Sequence, residues 1–119
     1  MAVAARVESE RFPYLPLTLT VGDRTAEVEA LLDTGFDGDV VIPLALIADG
    51  QPPDEYRSWQ LADGSTVATP VYYGTVQLGS FLSVPADIAP LGDEPIVGRG
   101  VSDRYRVILD HGARVIAEP

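Results

Sequence analysis

Cysteine and lysine are both missing from the 119-residue chain, and histidine occurs once. Without cysteine there is no disulfide framework, no thiolate nucleophile and no Cys-based zinc site. No apolar run approaches the ~18 residues of a membrane-crossing helix. Met1 to Glu10 lacks the apolar stretch after a basic start that marks a secretory leader. A soluble cytoplasmic protein is the expectation.

Basic charge is equally scarce. Eight arginines face 18 acidic residues, for a formal net charge of −10. Nucleic-acid affinity comes largely from Lys and Arg on phosphates, and anionic lipid surfaces attract the same residues, so neither partner is expected. The lone His111 falls in an Asp110-His111-Gly112 turn with no nucleophile beside it in sequence. Ser65 and Ser83 have no paired base and no nucleophile-elbow pattern, which argues against serine hydrolysis. Asp33, Asp37 and Asp39 read poorly as a calcium loop. Gly38 would take its sixth position, but Gly35 and Leu44 would occupy the third and twelfth, where ligands are required. No metal is expected.

What is present is strand alternation. Leu15, Leu17, Leu19 and Val21 share one face of Tyr14 to Val21, a Gly22-Asp23 turn follows, and Thr25 to Leu32 returns. Val40 to Ile42 is a short buried strand, and Pro43 opens a brief helical or turn segment through Ala48. Asp49 to Asp54 is a surface loop. Arg57 to Leu61 and Thr66 to Leu78 form a hairpin around Ala62-Asp63-Gly64-Ser65, where Asp-Gly is a strong tight-turn signal. Phe81 to Ile88 and Ile96 to Gly98 are further strands. Arg99 to Arg104 allows one or two helical turns, weakened by Gly100. Tyr105 to Leu109 and Arg114 to Ala117 close the chain as a hairpin. The aromatic residues Trp59, Tyr72 and Tyr73, on the arms of the hairpin around Ala62 to Ser65, either line a pocket or pack in the core, and packing is the first reading. The sum is an all-β domain with one or two short helices.

One segment carries chemistry. Ala30-Leu31-Leu32-Asp33-Thr34-Gly35 is an apolar strand ending in an acid on a tight turn. The strand holds the carboxylate rigidly at a cleft, Thr34 supplies a hydroxyl to fix the turn, and Gly35 leaves room for a second backbone.

Leu31-Leu32-Asp33-Thr34-Gly35-Phe36-Asp37-Gly38, with Ile96-Val97-Gly98-Arg99 later in the chain, resembles the retroviral-type aspartic proteases (retropepsins) and their single-domain bacterial relatives. The likeness spans roughly Leu17 to Leu109. It implies a closed-barrel-like acid-protease fold, one domain over 1–119, and an aspartic endopeptidase that needs no cofactor. It makes Asp33 the catalytic acid, set in a turn with Thr34 and Gly35. Thr34 would bond between the two catalytic loops of a dimer. Gly35 and Asp37 would meet substrate main chain, and Arg99 would pair with Asp37. Ala62, Asp63, Gly64 and Ser65 would form the tip of a flap closing on an extended peptide. Ile96, Val97 and Gly98 would support the catalytic loop from beneath. Three features depart from the family pattern: Gly100 stands where Asp or Asn is usual, the flap tip has one glycine, and the C-terminus is a hairpin rather than a single strand.

Hydrolysis by this route needs two carboxyl groups sharing one proton, one activating water and the other protonating the carbonyl. The chain has one Asp-Thr-Gly and is too short for two lobes. A homodimer would place Asp33 opposite its own symmetry mate. The expected partners are a second copy and a peptide or protein substrate, with activity best below neutral pH. The other reading is a dimeric peptide-binding or scaffolding module of the same fold without proteolysis.

Overall fold

The computed structural model of the protein describes residues 6–119, so part of the Met1–Glu10 stretch read for a leader lies outside the described residues. Strand β1 (Val7–Ser9) precedes the hairpin of β2 (Tyr14–Val21) and β3 (Arg24–Leu32). Along β2, half-buried and buried residues alternate without a break. Leu15, Leu17, Leu19 and Val21 turn inward, none more than 4% exposed. The hairpin register pairs Val21 with Arg24 and Tyr14 with Leu31, leaving Gly22-Asp23 as its turn.

Next come β4 (Val40–Ile42), a 3-10 turn at Leu44–Leu46, β5 (Glu55–Gln60) and the long β6 (Thr66–Leu78). They are followed by β7 (Val84–Pro90), β8 (Ile96–Val97), helix α1 (Arg99–Ser102), β9 (Arg106–Asp110) and β10 (Arg114–Glu118). Seven strands form the main sheet in the order β2-β3-β8-β4-β7-β6-β5. Because β6 also pairs with β2, from Leu17 against Leu78 to Thr20 against Thr75, the sheet closes on itself. Leaving out β5, six of the seven strands make a barrel. It is a mixed one: β3–β8 and β4–β7 run parallel, and the other pairs run antiparallel. Closure satisfies both edges of the ring and leaves none to aggregate.

β6 is too long for the barrel. Tyr72 to Val76 pairs with β7, whereas Thr66 to Val71 pairs with β5. That first half therefore carries β5 away from the ring as a projecting hairpin. A smaller sheet, β1-β10-β9, packs on the barrel through Val7, Val115 and Ala117, which share its core. Phe81 and Tyr105 stack between the two parts, with ring centroids 5.1 Å apart.

Most expected elements occur, with three differences. β7 begins at Val84 rather than Phe81, because the Phe81 N–H donates to the Leu78 carbonyl and closes a turn. Phe81 is buried from that turn, so its apolar character does not mark a strand. β5 starts earlier than Arg57 and ends at Gln60, before Leu61. β1 was not foreseen, since three residues containing Glu8 carry too little alternation.

Ile88 is fully buried in β7 and aligned with Val40 on one side and Tyr72 on the other. Ile88→Ala should destabilise the fold by about 2–5 kcal/mol in a denaturant titration. A loss below about 1 kcal/mol would mean that the barrel centre collapses freely around the gap.

Candidate active site

Asp33 stands one residue beyond β3, yet its backbone remains in the sheet. The parallel register sets Leu31 against Ile96 and Leu32 against Val97. The Leu31 N–H donates to the Pro95 carbonyl at 2.9 Å, and the Asp33 N–H donates to the Val97 carbonyl at 3.0 Å. Beyond this last rung the chain turns. The Gly35 N–H donates to Asp33 Oδ1 at 2.9 Å, and the Phe36 N–H to the Asp33 carbonyl at 3.2 Å. Asp33 is half-buried, and Thr34 and Gly35 are exposed. The Thr34 hydroxyl forms no hydrogen bond among the described residues.

The loop from Phe36 to Asp39 is threaded against the chain leaving β8. Arg99 N–H donates to the Phe36 carbonyl at 2.8 Å, Gly100 N–H to Gly38 at 3.0 Å, and Gly98 N–H to Asp39 at 2.9 Å. These contacts need glycine for closeness. A Cβ on Gly98 would lie 2.3 Å from the Gly38 carbonyl oxygen, and one on Gly100 would lie 1.9 Å from Asp39 Oδ1. Gly100 therefore does not spoil the helix: α1 forms, and the missing side chain makes room for Asp39. Asp39 Oδ2 in turn accepts the Asp87 N–H at 2.8 Å, tying the loop to β7. This role of Asp39 was missed, because nothing local in the sequence connects it to residue 87. Ile96 and Val97 align with Leu31 and Leu32, and the Gly98 N–H meets the loop at the Asp39 carbonyl.

The expected pair of Asp37 with Arg99 is not formed. Both residues are exposed, and no ion pair joins them. They face different sides of the loop. Asp37 lines a cleft with Gly35, Phe36, Gly38 and the β5 residues Arg57 to Gln60. Arg99 lines another with Leu32, Thr34, Asp103, Tyr105 and Leu109. The helical turn that begins at Arg99 carries its side chain to the second cleft.

The first cleft, of about 530 Å³, lies between the loop from Gly35 to Gly38 and the β5 arm of the projecting hairpin. Its aromatic wall is Phe36 against Trp59, ring centroids 5.3 Å apart and planes inclined by 29°. Trp59, read first as packing, takes the alternative place in a pocket wall. Phe36 was not foreseen there, although it follows the Asp-Thr-Gly turn directly, which was the available signal. Tyr72 is core, as read, but Tyr73 is 54% exposed and its hydroxyl donates to Glu55. Arg57 spans Glu55 at 2.7 Å and Asp87 at 3.1 Å, fastening the root of the arm. The Tyr73 hydroxyl first, and Arg57 second, hold the Glu55 carboxyl below the usual carboxylate range.

Ala62, Asp63, Gly64 and Ser65 make the exposed tip of the hairpin and stand outside the cleft lining. Leu61 N–H donates to the Ser65 carbonyl at 2.7 Å and Gly64 N–H to Leu61 at 2.9 Å. Asp63 Oδ1 accepts the Ser65 hydroxyl at 2.5 Å and its N–H at 2.9 Å. These two bonds, the hydroxyl foremost, hold the Asp63 carboxyl below its ordinary range. Among the described residues, no three His, Asp or Glu side chains gather as metal ligands.

The chain is similar in structure to a retropepsin-like aspartic protease from Rickettsia conorii, with a TM-score of 0.59 and 12% identity, over 98% of this chain and 94% of that one. It is also similar to a foamy viral protease-reverse transcriptase in complex with an RNA/DNA hybrid, with a TM-score of 0.55 and 23% identity. That match covers 79% of this chain, which spans 12% of the viral chain's length. At such identities the likeness is one of fold, and the fold is the retropepsin-like acid-protease barrel. No family model matches the chain, and no curated protein is similar to it in sequence.

Two outcomes follow from this geometry. Gly98→Ala should destabilise the protein by about 1–3 kcal/mol, since the Cβ would meet the backbone carbonyl oxygens of Gly38 and Phe36 as well as the Phe36 ring, and the backbone cannot swing aside. An alanine variant that melts with the parent would refute the close threading. Asp63 should titrate with a midpoint below that of an unperturbed Asp, about 3.9. Its contribution to the turn is complete above that value and is lost as pH falls through the lowered folded value. The Ser65 amide shift, followed by NMR, reads this directly, and an unshifted midpoint would show that the turn leaves Asp63 unbonded.

Proposed function

We propose that the protein is an aspartic endopeptidase, active as a homodimer in which each copy contributes one Asp33. The observation that carries this reading is the mounting of Asp33. Its N–H is the last rung of a barrel strand, and its carboxylate is oriented by the N–H of Gly35, a residue that lines the neighbouring cleft. Rigid backbone behind and open space in front are what a positioned acid–base group needs.

One carboxylate cannot both accept and donate the proton. With two, the ionised Asp33 takes a proton from water as its oxygen bonds to the peptide carbon. The protonated Asp33 of the second copy gives its proton to the carbonyl oxygen. Collapse then breaks the C–N bond. The Asp33 protonated by water gives that proton to the leaving nitrogen, and the other Asp33 takes one back from the diol, which restores the shared proton. Thr34, exposed and unbonded among the described residues, supports a contact across a two-fold axis. The neighbouring cleft, where Leu32, Tyr105, Val107 and Leu109 adjoin Thr34, Arg99, Ser102 and Asp103, supports the same face as the contact, with Leu109 54% exposed. The projecting hairpin supports a peptide lying as an extended strand between arm and catalytic turn.

The test is a digest of a complex peptide mixture by wild type and Asp33→Asn side by side. The wild type should cut at defined sites, and the variant should lose at least about a hundredfold in rate. Undiminished cleavage by the variant would remove Asp33 from the chemistry. A wild type that binds peptides and cuts none from about pH 4 to pH 8 would favour the non-proteolytic module.

A further inference from the structure

The cleft beside Asp33 contains a group that the proposed chemistry leaves idle. Trp59 forms part of its wall, stacked on Phe36, and the indole Nε1 is closed to solvent without an acceptor. An indole nitrogen only donates, and a buried donor without a partner is disfavoured relative to one in water. Packing accounts for the ring and not for its nitrogen, since phenylalanine could stack on Phe36 without an orphaned N–H. Buried unsatisfied groups are uncommon enough that each calls for a cause, and this one lies beside the candidate catalytic turn.

The charges around the cleft narrow what the donor can meet. Asp37 lines the same space, and among the described residues no cation is paired with it. Arg57 lines it too, but its guanidinium is already shared between Glu55 and Asp87. A carboxylate entering here would face the uncompensated Asp37 on a chain of net charge −10. A neutral amide oxygen meets no such repulsion, and the N–H that accompanies an amide gives Asp37 a donor in return.

We infer that the Trp59 indole N–H is a substrate-binding donor that takes an amide carbonyl oxygen of a bound peptide, from its main chain or from an Asn or Gln side chain. The inference rests on reading this cleft as a peptide site. While the arm lies on Phe36 the N–H is shut in, so the acceptor reaches it as the β5–β6 hairpin lifts and resettles over the peptide.

The experiment compares Asp33→Asn with the double variant Asp33→Asn, Trp59→Phe, so that nothing is cleaved and the aromatic stack persists. Fluorescein-labelled, positional-scanning octapeptide amides are the probe, and polarisation reads their binding. Circular dichroism and thermal melting check that both variants are folded. Phenylalanine should weaken binding roughly three- to tenfold, the loss of one hydrogen bond. A uniform loss across the library identifies a main-chain carbonyl, and a loss confined to peptides with Asn or Gln at one position identifies a side-chain amide. Because Trp59 is the only tryptophan, its emission in the Asp33→Asn protein should also shift on adding the peptides. Equal affinity of the two variants would overturn the inference and leave the proteolytic reading standing. Weakened binding by the phenylalanine variant, alongside a wild type that cuts nothing, would sink proteolysis and keep the donor. No binding by either variant would overturn both.

Discussion

The site depends on one short parallel pairing, two residues of β3 against two of β8. A two-residue strand has little stability alone, and β8 is held because it is wedged between β3 and β4, with Val97 completely buried. This wedge decides where Asp33 can be. The rung from Asp33 N–H to the Val97 carbonyl is the last that β8 offers, since Gly98 already turns away to bond Asp39. Asp33 is thus the final residue fixed by the sheet, and the next three form the turn.

The same wedge forces the chain from Phe36 to Asp39 to pass against the strand that supports it. Two backbones that close admit no side chain between them, which explains Gly98 and Gly100 by contact rather than by conformational freedom. Asp39 completes the arrangement. Its carbonyl accepts from Gly98, one carboxylate oxygen from Asp87, and the other lies against Gly100. A half-buried carboxylate that accepts backbone N–H groups is worth more than a surface ion pair, because its lone pairs are met in a drier setting.

Much of this was legible in the sequence, for identifiable reasons. The Leu15-Leu17-Leu19-Val21 alternation and the Asp63-Gly64 turn are local signals, and β2 and the hairpin tip appear where those signals stand. The Asp33 turn was legible because a strand-then-acid pattern is contiguous. What failed was long-range. No spacing rule distinguishes Asp37 from Asp39 as the residue that reaches another strand, and the turn direction of α1, which separates Arg99 from Asp37, is set by packing at Val101 and Ser102. Gly100 looked unfavourable from helix propensity, a preference of up to about 1 kcal/mol. Against it stands a Cβ that would lie 1.9 Å from Asp39 Oδ1, a side chain already tied to Asp87, and 3.0 Å from the Gly38 carbonyl oxygen.

Floor and arm of the cleft are therefore fastened by different forces. The floor is held by backbone rungs in a closed barrel, whose loss would open the core. The arm is held at its root by Arg57 with Glu55 and Asp87, all partly solvated, and at its side by Phe36 against Trp59. Solvated ion pairs contribute about 0–1 kcal/mol each, and an aromatic pair adds about 0.5–1.5 kcal/mol beyond its buried area. Those sums are small against the several kcal/mol needed to disturb the floor. The hairpin can then leave Phe36 without straining the turn that carries Asp33, and a peptide that replaces the Phe36 contact with hydrogen bonds of its own can hold the arm in a new position. On the proposed reading, this difference in fastening would let a rigid Asp33 and a movable cover coexist within a single chain.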